Sequence, residues 1–114
     1  MAKYEKRLSG NFDTFLQHLH SGILGGSISA TFQDGSNIDK GSVRCAVRVY
    51  ERFSHASGSR VSANVTLLGD GDKLFLSIIT AGGSRATFFK INTWGESTFL
   101  DNIIKVVERW ETEK

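Results

Sequence analysis

At 114 residues the chain is read as one domain, residues 1–114, since independently folding units usually run about 100–150 residues. Its 39% hydrophobic and 23% charged residues are those of an ordinary globular chain and exclude a fibrous or largely disordered reading. Fourteen Lys and Arg against 12 Asp and Glu leave a net charge of +2, too small a surplus to argue for nucleic acid or an anionic membrane as partner.

The start, Met1 to Arg7, is charged and lacks the apolar stretch of a signal peptide, and no run approaches about 18 apolar residues, so neither export by that route nor a membrane span is expected. Cys45 is the single cysteine, which leaves no internal disulfide and no cysteine zinc cluster and makes the cytoplasm the expected compartment.

In chain order, Lys3 to Leu8 alternates as a short edge strand. Asn11 is a helix cap, followed by Phe12, Phe15, Leu16, Leu19 and Ile23 at helical spacing, with Gly22 predicted to end the helix. Ser27 to Gln33 alternates as a half-buried strand, and Asp34 to Gly41, dense in Asp, Gly, Ser and Asn, is predicted to be a loop. From Val43 the alternation is strong: Val43, Cys45, Val47, Val49 and Phe53 are assigned to the core face, and Arg44, Ala46, Arg48, Tyr50 and Arg52 to the outer one. Val61 to Leu67 forms a hairpin with this strand, predicted with Arg52 opposite Ser62, Tyr50 opposite Asn64 and Arg48 opposite Thr66. A tight turn centred on Asp70-Gly71 then sets Leu67 against Leu74 and Val65 against Leu76. Gly82 to Ser84 turns the chain into a last strand, Arg85 to Ile91, and Thr93-Trp94-Gly95-Glu96 has capping-box spacing before a helix with the apolar stripe Phe99, Leu100, Ile103, Ile104, Val106, Val107 and Trp110.

This succession predicts an α+β fold of order β-α-β-β-β-β-α, with one antiparallel sheet of about five to six strands and helices packed on one face. The order resembles the fold of the TATA-box-binding-protein class and of helix-grip lipid-binding proteins. No residue motif of either group is present, so the resemblance implies neither DNA nor lipid binding. The segments Val43 to Arg52 and Phe88 to Thr93 resemble a family of small bacterial proteins classed as a domain of unknown function, a resemblance that spans the chain and implies a bacterial, cytoplasmic protein without bringing an activity, cofactor or catalytic residue.

The expected outer sheet face carries Arg44, Arg48, Tyr50 and Arg52 in one half and Phe75, Ile79, Phe89 and Ile91 in the other. Contiguous apolar surface rimmed by polar and cationic groups marks an interface, so the first expectation is association, as a homodimer or with a protein partner, through this face. The second is a small-molecule pocket between the sheet and the C-terminal helix, walled by Glu51, Tyr50 and Trp94, because alternation sends the Glu51 carboxylate inward unless a strand end or bulge lets it reach water or an arginine such as Arg60.

No catalytic set, metal or cofactor is indicated. His18 and His20 are two apart on a helix and point in different directions, His55 has serines near it but no oriented carboxylate, and Cys45 is assigned to the core. The Asp34 to Asp39 segment lacks the closing glutamate of a calcium loop, and Gly82 to Arg85 lacks the phosphate-loop pattern.

Overall fold

The computed structural model describes residues 1–26, 30–54, 58–82 and 89–113. The elements are β1 (Ala2–Ser9), α1 (Phe12–Gly26), β2 (Thr31–Lys40), β3 (Val43–Ser54), β4 (Ser59–Asp70), β5 (Lys73–Gly82) and α2 (Phe89–Glu113), an α+β fold in the predicted order. The strands make one antiparallel sheet of five, ordered β1-β5-β4-β3-β2, so β4 is central and the first strand closes the far edge against the last.

Asn11 caps α1 as its side chain predicts: its Oδ1 accepts the Thr14 amide at 2.9 Å and its carbonyl accepts the Phe15 amide at 3.0 Å. The helix does not stop at Gly22 but runs to Gly26. Gly22 serves packing instead, because a Cβ there would lie 2.4 Å from Val106 Cγ1, and its absence lets α1 and α2 approach closely. At the same crossing, His18 Nε2 donates to the Val106 carbonyl at 2.7 Å.

Both helices lie on one face of the sheet. Phe12, Phe15, Leu19 and Ile23 of α1 and Phe99, Ile103, Val106 and Val107 of α2 form a single buried cluster with Leu8, Val61, Ala63, Val65, Leu67, Leu74, Leu76 and Ile78 of the strands. Burying one such side chain is worth about 1.5–3 kcal/mol, which makes this layer the main source of stability.

Three expectations need correction. The predicted loop Asp34 to Gly41 is mostly strand: β2 pairs with β3 from Thr31↔Glu51 to Lys40↔Val43, with a bulge between Phe32 and Asp34. All ten of its residues are exposed, so backbone pairing holds it without an apolar face, and polar composition is no obstacle. The predicted last strand fails at its end, because Phe89 to Ile91 are helical and α2 therefore begins ahead of the Thr93 capping box; residues 83–88 lie outside the described residues. So do Ser27 to Ser29 of the predicted second strand, and His55.

The third correction concerns register. β4 and β5 pair as Leu67↔Leu76 and Val65↔Ile78, two residues from the predicted match, with Gly71 at φ 63° in the turn. A shift of two keeps each side chain on its face. β3 and β4 pair as Arg52↔Val61, Tyr50↔Ala63 and Arg48↔Val65, one residue from the prediction, and that single step exchanges the two faces of β3.

Candidate functional site: the open face of the sheet

Because of that step, Arg44, Ala46, Arg48, Tyr50 and Arg52 point toward the helices, opposite to the expectation that placed all five on the outer face. Each finds chemistry that suits the covered side. Arg44 makes two hydrogen bonds to Asp13 of α1, at 2.8 and 3.0 Å, and lies 4.4 Å over the Phe12 ring. That pairing holds the Asp13 carboxyl below its ordinary range. Arg52 is buried with its guanidinium 5.1 Å from the Phe99 ring, and burial lowers its pKa. Arg48 donates to the carbonyls of Val47 and Ser36, spanning β3 and β2.

Tyr50 is almost wholly buried, at 1% exposure, with its hydroxyl 2.8 Å from His20 Nδ1 and its ring packed edge-on against Phe32. Burial pushes its pKa up to about 12, against the opposing influence of Arg48, so at neutral pH it is a protonated hydroxyl. His18 and His20 thus serve separate contacts, one to α2 and one to β3. Among the described residues no group of three His, Cys, Asp or Glu converges as metal ligands would.

What β3 sends to the open side is aliphatic. Cys45 moves from the expected core to this face, where it is partly exposed beside Val43, Val47 and Val49. The pairings carry rows of side chains straight across the sheet. One row reads Ile38, Cys45, Leu68, Phe75, Arg7 from β2 to β1; the next reads Ser36, Val47, Thr66, Ser77, Glu5; the third reads Asp34, Val49, Asn64, Ile79, Lys3. The first row is apolar over four strands and ends in Arg7, whose guanidinium lies 5.4 Å from the Phe75 ring. Ile38 is 65% exposed, Leu68 42%, Phe53 40%, Ile79 38% and Val43 36%, a concentration of large apolar side chains on one uncovered surface. A shallow hollow of about 210 Å³ opens among Arg7, Val43, Leu68, Lys73 and Phe75.

Of the residues predicted for an interface, the structure therefore keeps Phe75 and Ile79 on the open face and moves Arg44, Arg48, Tyr50 and Arg52 off it. The side chain of Phe89 lies outside the described residues, as does that of Trp94. Glu51 does not point into a pocket: it sits on the open face, 3.8 Å from Arg60 of β4, which removes the carboxylate wall from the predicted small-molecule site. The cleft that does exist between α1 and α2, about 200 Å³ beside Gly22, Phe99 and Ile103, has Lys105 and Arg109 at its mouth.

Sequence reasoning assigned Val43, Cys45, Val47 and Val49 to the core, left Ile38 in a loop and gave Leu68 no face, so none of the six was read as part of this surface. One signal was present: Leu68 follows Leu67 in a strand whose other apolar residues alternate, so one of the two had to face away from the core.

No helix among the described residues is long and apolar enough to cross a membrane. Residues 1–111 match the model of a family described as "Family of unknown function (DUF6054)". Neither the curated proteins nor the solved structures gave a match to the chain.

Proposed function

This chain belongs to DUF6054, a family of unknown function, and we propose that it acts by association, with the open face of its sheet as the surface that meets a protein partner. The observation that carries the reading is the row Ile38, Cys45, Leu68, Phe75, which is apolar on a face no helix covers. Sheets with one solvated face normally alternate apolar with polar residues, and β3 instead puts its aliphatic residues on the wet side and its arginines and tyrosine on the dry side. Evolution of a free-standing monomer has no use for that arrangement, whereas an interface core rimmed by Lys3, Glu5, Arg7, Asp34 and Lys40 does. A free thiol on such a surface fits a reducing compartment, and we place the protein in the cytoplasm on that ground.

Cys45 is a built-in reporter. A membrane-permeant maleimide is applied to cells that make the protein, and the modification rate of the Cys45 peptide is compared by mass spectrometry with that of the Ile79→Glu variant, which puts a charge on the same face, in the same cells. The reading expects Cys45 of the wild type to react several-fold more slowly than Cys45 of the variant. Equal rates mean that the face is bare where the protein works, and the reading fails.

A further inference from the structure

We infer that the occupant of the open face is a second copy of this chain, laid face to face about a two-fold axis running along β4, so that Lys3 of each copy meets Asp34 of the other. The inference rests on the association reading above and adds the identity of the partner and its orientation. Any two-fold axis in the plane between two copies sets the sheets face to face, and the rows distinguish the two in which the strands run aligned, with the axis along the strands or across them.

With the axis along the central strand, each row lies over the same row of the second copy with its order reversed: β4 on β4, β5 on β3, β1 on β2. Leu68 then meets Leu68, Phe75 meets Cys45, Ile79 meets Val49 and Lys3 meets Asp34, while Ile38 at the edge falls on Arg7, so the apolar centre is self-complementary and the outer charges of the third row are opposite. With the axis across the strands through the Val47-Thr66 row, the neighbouring rows exchange places. Phe75 then falls on Ile79 and Cys45 on Val49, but Leu68 falls on Asn64, Ile38 on Asp34, Arg7 on Lys3 and Glu5 on Glu5, which breaks the apolar centre and brings like charges together. The first arrangement does bring Asp70 onto Asp70 of the second copy, but at the end of the face, with Lys73 on the next strand.

Size supports the same occupant. Five strands about 4.8 Å apart and some ten residues long cover roughly 800 Å² per copy, the area of a standard stable interface. The sheet edges are unsuited to the alternative of strand-to-strand addition: β1 carries Lys3, Glu5, Lys6 and Arg7, while β2 carries Asp34, Asp39 and Lys40 and is kinked by its bulge.

The test is analytical ultracentrifugation of the 114-residue chain, with fluorescence detection at the dilute end, from about 1 nM to a few hundred micromolar, because interfaces of this area span affinities from micromolar to below nanomolar. The wild type is expected to dimerise, and Leu68→Glu, which sets two carboxylates against each other on the axis, to stay monomeric with an unchanged circular-dichroism spectrum. Lys3→Glu and Asp34→Lys should each weaken the dimer by about tenfold, since each reverses two symmetry-related rim pairs, and the double swap should recover affinity to within about threefold. A dimer indifferent to the swaps, or not rescued by combining them, overturns the orientation. A wild type that stays monomeric throughout overturns the second copy as occupant. In that case Cys45 labelling in cells slower than in the Ile79→Glu variant leaves association with a different protein standing, and equal labelling removes both.

Discussion

On the helix side of β3, three arginines and a tyrosine are held by named partners: Asp13 and Phe12 for Arg44, the Ser36 and Val47 carbonyls for Arg48, Phe99 for Arg52, His20 for Tyr50. On the open side of the same strand, Val43, Cys45, Val47 and Val49 face outward with Leu68 and Ile79 from the neighbouring strands. The difference teaches that polarity alone does not say which face of a strand is inside. Long or aromatic polar side chains can cover a core with their apolar bodies while their polar ends are satisfied by the helices above. Aliphatic side chains on the other face have no equivalent way of being satisfied alone, and that contrast is the ground of the association we propose.

Four substitutions sharpen the contrast between the two faces, and denaturant unfolding of each variant measures it. Phe15→Ala on α1, at the buried centre of the helix layer, should cost about 3–5 kcal/mol. Gly22→Ala inserts a Cβ against Val106 and should cost about 1–3 kcal/mol, with much of the loss returned by adding Val106→Ala. Tyr50→Phe removes the hydroxyl partner of His20 and should cost about 1 kcal/mol at neutral pH. Ile38→Ser on the open face should leave the monomer within about 0.5 kcal/mol of wild type. A loss at Ile38 as large as at Phe15 would break the comparison, because the open face would then be part of the folding core.

Tyr50 also gives the comparison a pH axis. Its pKa is raised from 10.0 to about 12 in the folded protein, so the unfolded chain releases the proton first as pH rises. The stabilisation is complete below pH 10 and is lost as pH climbs toward about 12. Tyr4 is shifted upward too, by burial, so the wild type and Tyr50→Phe are compared across this range, and the steeper decline of the wild type is the part that belongs to Tyr50.

Much of the fold was legible because it depends on local signals. The Asn11 cap, the helical spacing from Phe12 to Ile23 and from Phe99 to Trp110, and the alternation in β4 and β5 each identify an element without reference to the others. β2 was half hidden because an exposed edge strand needs only backbone partners and carries no apolar pattern. Of the proposed interface, only Phe75 and Ile79 were legible. These lie on β5, whose two-residue error in register preserved its faces, while the one-residue error at β3 inverted every assignment there.

The amino-acid sequence by itself determined the kind and order of the elements, because spacing of apolar groups and caps act within a few residues of chain. The tertiary structure alone decided which side of β3 is dry. The last pairing of β3 with β4 is Ser54↔Ser59, where the predicted register set Ser54 against Arg60. Since side chains alternate at each residue, that one position turns arginines and Tyr50 toward the helices and a row of aliphatic groups, with Cys45 among them, toward whatever the open face meets.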